Sequence, residues 1–251
     1  MDHEIRNGTT NWKESVEKNI TEAFDDIHRQ FLKAVTFAAH GAMDNSGTTA
    51  TAVYVTNEAV VVASLGDSRA ILSSASPVSD KQNERTTPMD VSAIQLTKDH
   101  VASDANEANV VKSLGGNVTV VNGLARVNGV LAITRSIGDA PFANVMSRIP
   151  HVISMTRQEV RELCGVKKQK DADGGEETCF IILASDGLWD VVNNDDAVNM
   201  VAQTIRSYQS NSTKQDAGAY QEASEVLTLE AYVRGSTGRS NSDISLHLLG
   251  F

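Results

Sequence analysis

The 251-residue sequence has few cysteines, prolines and aromatic residues, and it has no long apolar run. Its two cysteines, Cys164 and Cys179, are too few for the disulfide framework of a small secreted domain. We therefore expect both to be reduced, in an intracellular location that is cytoplasmic or nuclear. No apolar stretch reaches the roughly 20 residues that span a bilayer, and the N-terminus lacks the basic-then-apolar pattern of a signal peptide. We expect no membrane partner.

The chain also has little positive charge. It carries 22 basic and 32 acidic residues, a formal net charge of −10, and no basic stripe, which argues against nucleic acid as the main partner. Hydrophobic residues make up 41% of the sequence, an ordinary value for a globular protein. Because this length can bury a sizeable core and no repeat or clear linker interrupts it, we expect a single domain over residues 1–251.

Hydrophobic periodicity predicts strands in the middle of the chain and helices around them. Apolar residues at spacings of three and four predict a long amphipathic helix over residues 11–39. Val- and Thr-rich stretches joined by Asn122-Gly123 and Asn128-Gly129 predict antiparallel hairpins. Because the strands arrive as hairpins and do not alternate with helices, the pattern favours an α+β class with antiparallel sheets. Polar stretches predict surface loops at residues 73–92, 165–178 and 207–219.

The most informative stretch is residues 181–190, where an apolar run ends in Asp186-Gly187. Four apolar residues predict a buried strand, and the Asp-Gly pair predicts its sharp end. A carboxylate at the end of a buried strand is partly desolvated. That burial costs free energy unless it is compensated, and a bound cation is one common compensation. For this segment alone, a helix N-cap or a turn aspartate is an equally good interpretation.

Three more aspartates, Asp67, Asp99 and Asp139, also fall at strand ends or turns. All-oxygen sites suit hard cations such as Mg²⁺ or Mn²⁺ rather than zinc. Two such ions side by side can activate water and hold a phosphoryl group for in-line displacement. Taken alone, however, scattered aspartates in so acidic a chain are more often solvated turn residues. Arg69 could bind an anion, although an ion pair with Asp67 or another carboxylate is the more common role for such a residue.

The order of six short motifs favours the metal-site interpretation. Each motif is a weak signal alone, but their common order along the chain makes a specific pattern. The motifs are Ser46-Gly47-Thr48-Thr49-Ala50, Gly66-Asp67-Ser68-Arg69-Ala70, Leu96-Thr97-Lys98-Asp99-His100, Arg126-Val127-Asn128-Gly129, Thr134-Arg135-Ser136-Ile137-Gly138-Asp139 and Ala184-Ser185-Asp186-Gly187-Leu188-Trp189-Asp190. The pattern covers roughly residues 12–237 and resembles the metal-dependent protein serine/threonine phosphatases of type 2C.

This resemblance implies a sandwich of two antiparallel β-sheets flanked by helical layers, with Mg²⁺ or Mn²⁺ at one end of the sheets. It places Asp186 on the family's metal-binding aspartate and Asp99 on an aspartate linked with an accessory third metal. Four further residues match motif positions near the site, namely Asp67, Arg69, Asp139 and Gly187. We assign scaffold roles to Asp67, Arg69 and Asp139. The implied partners are phosphoproteins, hydrolysed at phosphoserine or phosphothreonine by a metal-activated water.

The sequence departs from the family pattern at both ends. The family's Asp-Gly-His-Gly-Gly segment, which supplies the bridging metal ligand, belongs before the helix at residues 11–39 and is not found there. After residues 234–237 the family has an Asp-Asn pair, and here Asp243 could serve as that metal ligand only through an insertion. We therefore expect an N-terminally truncated form with a divergent C-terminus.

Weak or absent phosphatase activity is the expected consequence, because a single carboxylate cannot hold two divalent ions close together. The alternative is a non-catalytic pseudophosphatase, or a regulatory binding module, that engages phosphoproteins.

Overall fold

The computed structural model describes residues 12–38, 45–75, 91–165, 178–211, 217–237 and 243–251. The chain forms two compact units. The first unit comprises Met1–Ser68 and Thr97–Met155, and the second comprises Arg69–Leu96 and Thr156–Phe251. Both units combine helices with antiparallel strand pairs, so the predicted α+β class is confirmed. The expectation of one domain over residues 1–251 stays a prediction.

Helices and strands follow one another along the described residues in the mixed order that the sequence predicts. In chain order they are α1 Trp12–Ala38, β1 Gly47–Thr48, β2 Ala50–Val55, β3 Ala59–Leu65, β4 Arg69–Ala75, β5 Ile94–Gln95, α2 Ala105–Ser113, β6 Val118–Val121, β7 Leu124–Val127, β8 Ile137–Gly138, a 3-10 turn Ala140–Phe142, β9 His151–Thr156, α3 Arg157–Leu163, β10 Thr178–Ala184, α4 Asp186–Trp189, α5 Asn194–Asn211, α6 Ala217–Thr237 and β11 Leu246–Gly250. Within the described ranges, no helix combines the length and the apolar character that a bilayer crossing requires.

In the first unit, α1 packs on a small sheet with the strand order β2-β3-β9. Trp12, Val16 and Phe24 lie on the apolar face of α1 and contact alternate residues of β3, which is buried along its whole length. β6 and β7 form a separate hairpin that turns at Asn122, where φ is +52°. The predicted helix and this hairpin are confirmed. The apolar spacing of α1 therefore positions the sheet of the first unit.

In the second unit, all strand pairs of the sheet β11-β10-β4-β5 are antiparallel. β10 is the apolar run that the sequence predicts as a buried strand, and its Phe180 and Ile182 are fully buried. They belong to one core cluster with apolar residues of α5 and α6, such as Val198 and Leu227. Burying each such side chain contributes about 1.5–3 kcal/mol. This core fixes the position at which β10 ends.

The predicted bounds of the three surface loops are wrong, because helices and strands extend into them. Residues 73–75 are the last three of β4, where the buried Ser73 hydroxyl is satisfied by donating to the Ser92 carbonyl at 3.1 Å. Polar composition suggested a loop here because it does not reveal such a bond. The other corrected positions are 178, which begins β10, and 207–211 and 217–219, which belong to α5 and α6. The parts at 76–90, 166–177 and 212–216 lie outside the described residues.

Candidate active site

β10 ends at Ala184, and the acidic candidate Asp186 follows two residues later. Ser185 is extended and occupies the N-cap position of the one-turn helix α4, while Asp186 is its first residue and Gly187 is buried within it. The indole N–H of Trp189 donates to the Ala184 carbonyl at 2.9 Å and so ties α4 back to its own strand. The predicted strand-end position of the half-buried Asp186 is confirmed, whereas the N-cap interpretation is wrong.

Arg69 lies at the same end of the sheet. It is the first residue of β4 and pairs in register with Ala184. Its guanidinium donates to Asn194 Oδ1 at 3.2 Å and lies 5.8 Å from the centre of the Trp189 ring. Asn194 in turn donates through Nδ2 to Gln95 at 3.2 Å. These contacts hold a positive charge beside α4.

Asp190 adds a second carboxyl group to this end of the sheet, although the sequence analysis gave it no role. Partial burial raises its pKa, the negative charge of Asp186 acts in the same direction, and the charge of Arg69 opposes both. The two carboxyl groups are therefore close enough to repel each other when both are ionised. The missed signal was the spacing of four between Asp186 and Asp190, which brings two residues to one side of a helical turn.

Asp243 is brought to the same strand end by β11. This strand runs antiparallel to β10, with Leu246 opposite the last residue of β10. The Ser185 hydroxyl donates to the Asp243 carbonyl at 2.9 Å, and the Ser245 N–H donates to the Ser185 hydroxyl at 3.0 Å. The main chain of Asp243 thus lies beside the residue that precedes Asp186, and its side chain is exposed.

The remaining candidates belong to the first unit. Asp67 and Asp99 are half-buried. Asp139 is buried in a left-handed conformation, with φ at +49°, and its carboxylate accepts a hydrogen bond from Ser136. A Cβ at Gly47 would overlap that carboxylate, so glycine is required opposite Asp139.

A buried ionic network in the first unit was missed by the sequence analysis. The side chain of Glu107 is 2% exposed, and it accepts two hydrogen bonds from Arg135, at 2.8 and 2.7 Å, and one from Thr134 at 2.9 Å. Burial alone would raise the Glu107 pKa, but these bonds and the Arg135 charge outweigh it and hold the pKa at about 2. Burial lowers the pKa of the neighbouring His100 to about 4, and the Arg135 charge adds to this effect.

The donors at the end of β10 suit a hard cation. Carboxylate oxygens are the ligands that Mg²⁺ and Mn²⁺ prefer. In the ranges that the structure describes, no group of three or more His, Cys, Asp or Glu side chains is arranged to hold a metal ion. A cation at Asp186 therefore stays a prediction.

The sequence matches the family model described as "Protein phosphatase 2C" over residues 3–240. The chain belongs to the protein phosphatase 2C family. "Probable protein phosphatase 2C 52" of Oryza sativa subsp. japonica is 33% identical over 182 residues, which are 72% of this chain and 30% of that protein. "Protein phosphatase 1L" of Bos taurus is 32% identical over 179 residues, which are 71% of this chain and 41% of that protein. The first relatives are matched over 30% to 54% of their own length.

Solved structures share the fold. A C. elegans sex determining protein superposes with a TM-score of 0.68 at 23% identity, covering 99% of this chain and 49% of that chain. A serine-threonine phosphatase 2C from Toxoplasma gondii gives a TM-score of 0.67 at 17% identity, covering 96% and 68%. At these identities the likeness shows the fold alone. It confirms the fold class that the six motifs imply for a protein phosphatase 2C.

Proposed function

We propose that this protein phosphatase 2C family member holds Mg²⁺ or Mn²⁺ at Asp186 and that the 251-residue polypeptide hydrolyses phosphoserine and phosphothreonine slowly. The observation that carries the proposal is the position of Asp186, half-buried and fixed on α4 directly after the buried strand β10. The family match over residues 3–240 supports the reaction class.

Each group at this end of the sheet has a distinct task in the proposed reaction. When bound, a divalent ion supplies a Lewis acid that activates water and offsets charge on the phosphoryl group. Asp186 provides the oxygen ligand, and the hydrogen bond from Trp189 to the end of β10 keeps α4 in place. Asn194 orients the Arg69 guanidinium, whose charge attracts the anionic phosphate ester. Asp243 is the candidate for an additional oxygen ligand.

The low rate follows from electrostatics. Two divalent ions side by side repel each other, and several negative ligands are needed to offset that repulsion. Asp186 and Asp190 bring two carboxyl groups to this site, fewer negative ligands than two adjacent ions require. We therefore expect one ion to be held well and a second one poorly, which lowers the rate of phosphate hydrolysis.

Manganese binding and phosphate hydrolysis by matched variants test this proposal. Mn²⁺ binding is measured by electron paramagnetic resonance for the wild type, Asp186→Asn and Asp195→Asn. Asp195 is a suitable control because it is exposed in the first turn of α5. We expect Asp186→Asn to weaken Mn²⁺ binding by about tenfold or more and Asp195→Asn to leave it unchanged. Hydrolysis of a phosphothreonine peptide is measured on the same samples.

The possible outcomes separate the two functions. Slow, Mn²⁺-dependent hydrolysis that Asp186→Asn abolishes supports the proposal. Two adjacent Mn²⁺ ions bound tightly, together with fast turnover, would contradict the impaired site. Equal Mn²⁺ affinity in wild type and Asp186→Asn would remove Asp186 from the site. Saturable binding of the phosphopeptide without any hydrolysis would favour the non-catalytic binding module.

A further inference from the structure

Both cysteines of the chain lie in the second unit and contact neighbouring positions of β4. Cys179 is the second residue of β10, and Cys164 is the C-cap residue of α3. Neither forms a disulfide in the structure. Cys179 is buried and Cys164 is half-buried. Both cysteines lie next to Ser73 and Ser74 of β4.

The C-terminal end of α3 is fastened to β4 by two contacts. The Ser74 hydroxyl donates to the Cys164 carbonyl at 3.1 Å. The Cys164 thiol donates to the Ser73 carbonyl at 3.6 Å. Because the Ser74 side chain reaches Cys164, the end of α3 covers the face of the sheet on which that side chain lies.

Cys179 lies on this same face. It is directly opposite Ser74 in the antiparallel ladder of β10 and β4, and opposite residues carry their side chains on one face. The backbone N–H and carbonyl of Cys179 bond to Phe251 on the other side of β10. Cys179 and Ser74 are therefore a non-hydrogen-bonded pair, in which the Cα atoms are about 4.5 Å apart. Ser74 therefore neighbours both cysteines: its hydroxyl bonds to Cys164, and its partner across the ladder is Cys179.

A cation accompanies the buried thiol. Arg157, the first residue of α3, stacks with its guanidinium 4.4 Å from the centre of the Phe251 ring. Burial of this guanidinium lowers its pKa, the charge of Arg161 adds to the effect, and the Cys179 thiol opposes it. Arg157 and Cys179 are thus close enough to interact. A neighbouring guanidinium stabilises a thiolate, which is the reactive form of cysteine.

We propose that Cys164 and Cys179 are an oxidation site at which a peroxide forms an intramolecular disulfide. The more accessible Cys164 thiolate attacks the peroxide, the O–O bond breaks, and a sulfenic acid forms with release of water. The Cys179 thiolate then attacks the Cys164 sulfur, the S–S bond forms, and the sulfenic oxygen leaves as a second water. Overall the two thiols lose two electrons and two protons, and hydrogen peroxide is reduced to two waters.

The Ser74 hydroxyl opposes this reaction. A disulfide needs Cα atoms about 4.4–6.8 Å apart, so the last turn of α3 must be free to adjust until Cys164 meets this geometry with Cys179. The hydrogen bond from Ser74 to the Cys164 carbonyl holds that turn in its present place. Ser74→Ala removes this bond and leaves both thiols intact. We therefore expect Ser74→Ala to speed disulfide formation several-fold.

Peroxide treatment of the whole reduced polypeptide tests the proposal. The products are identified by intact mass and by peptide mapping without reductant. We expect a monomer about 2 Da lighter, with the peptides of Cys164 and Cys179 cross-linked. The melting temperature of this product should rise by several degrees, because a closed loop restricts the unfolded chain. Cys164→Ser and Cys179→Ser should each abolish the mass loss.

Two arginine variants test the role of the cation. Arg157→Gln should slow disulfide formation by about threefold to tenfold, because less of Cys179 is thiolate. Arg161→Gln is the matched control, since Arg161 is exposed one turn further along the same helix, and it should have a smaller effect. Disulfides found only between chains, or a sulfinic acid at Cys164 beside an unchanged Cys179, would overturn the proposal. Mapping of the wild type decides this point even if a variant does not fold.

Discussion

The two units make their interiors from different chemistry. The second unit packs a sheet and two helices around large apolar side chains such as Phe180, Ile182 and Leu227, all fully buried. The first unit has smaller apolar clusters and buries the ion pair of Glu107 and Arg135. Apolar burial is non-directional and scales with area, whereas a buried carboxylate is tolerated only with its donors in place. The first unit therefore adds a few specific bonds to the apolar burial of β3, whereas the second depends mainly on buried area.

The sharpest test of this difference is Glu107→Ala in the first unit. The Arg135 side chain, which is 15% exposed, would lose its ion-pair partner. Breaking a buried pair by removing one partner costs about 3–5 kcal/mol. Urea unfolding followed by circular dichroism measures the loss. Glu22→Ala is the control, since Glu22 is 64% exposed and pairs with Lys18, which is 75% exposed. It should change the free energy of unfolding by less than about 0.5 kcal/mol.

If Glu107→Ala costs less than about 1 kcal/mol, water reaches Arg135 and the pair behaves like a surface ion pair. The contrast between the two interiors would then be wrong.

The corresponding test in the second unit uses two leucines of α6. Leu227 is fully buried and Leu229, two residues away on the same helix, is 63% exposed. Leu227→Ala should cost about 2–5 kcal/mol, through lost apolar burial and the cavity that remains. Leu229→Ala should change stability by less than about 0.5 kcal/mol. Similar losses of unfolding free energy for the two variants, measured by the same urea unfolding, would show that buried apolar area does not determine the stability of this unit.

The elements that the sequence predicts correctly are those whose apolar pattern or turn lies within one short stretch of chain. α1, β10 and the hairpin of β6 and β7 carry local signals, namely apolar spacing, an apolar run and an Asn-Gly turn. These signals are local because one element generates each of them. Asp186 was singled out in the same way, since a carboxylate that ends an apolar run is visible in a few residues of sequence.

Tertiary partners were not predictable in this way. Arg135 lies 28 residues from Glu107, and no periodicity indicates that the two meet. The main chain of Asp243 reaches Ser185, the residue before Asp186, only through the register of β11 on β10. Hydrophobic patterning does not specify that register to the residue. The fold class was therefore predictable from the pattern, while the set of groups around the candidate site required the structure.

Lowering the pH should destabilise the first unit through His100 and stabilise the second unit through Asp190. Burial holds the folded-state pKa of His100 at about 4, below its ordinary value near 6.5, so the unfolded chain takes up the proton first. Stability should fall by about 1–3 kcal/mol as the pH drops from 6.5 to 4. The groups that act on His100 are Arg135, Glu107 and His151. Asp190 in the second unit acts oppositely, because its raised pKa lets the folded state take up a proton more readily.

His100→Asn is the variant for this titration, since it removes the ionisable ring and keeps a side-chain acceptor. We expect the slope of unfolding free energy against pH between 6.5 and 4 to decrease in this variant. A residual slope should remain, because burial also lowers the pKa of His28 and His151. An unchanged slope in His100→Asn would show that other groups carry the pH dependence. Below about pH 4.3 a further loss begins as Glu107, with its folded-state pKa near 2, is protonated first in the unfolded chain.

The smallest expected effect is at the N-terminus of α3, where the bonds are local and half-exposed. The Thr156 hydroxyl accepts from the Glu159 N–H at 3.2 Å, and the Glu159 carboxylate accepts from the Thr156 N–H at 2.7 Å. Thr156→Ala removes the first of these bonds and should cost about 1 kcal/mol. Thr156→Ser keeps the hydroxyl and should cost a few tenths of that. A loss of stability from Thr156→Ala as large as that from Glu107→Ala would mean that a local helix cap stabilises the chain as strongly as the buried ion pair. The buried ion pair would then no longer distinguish the first unit from the second.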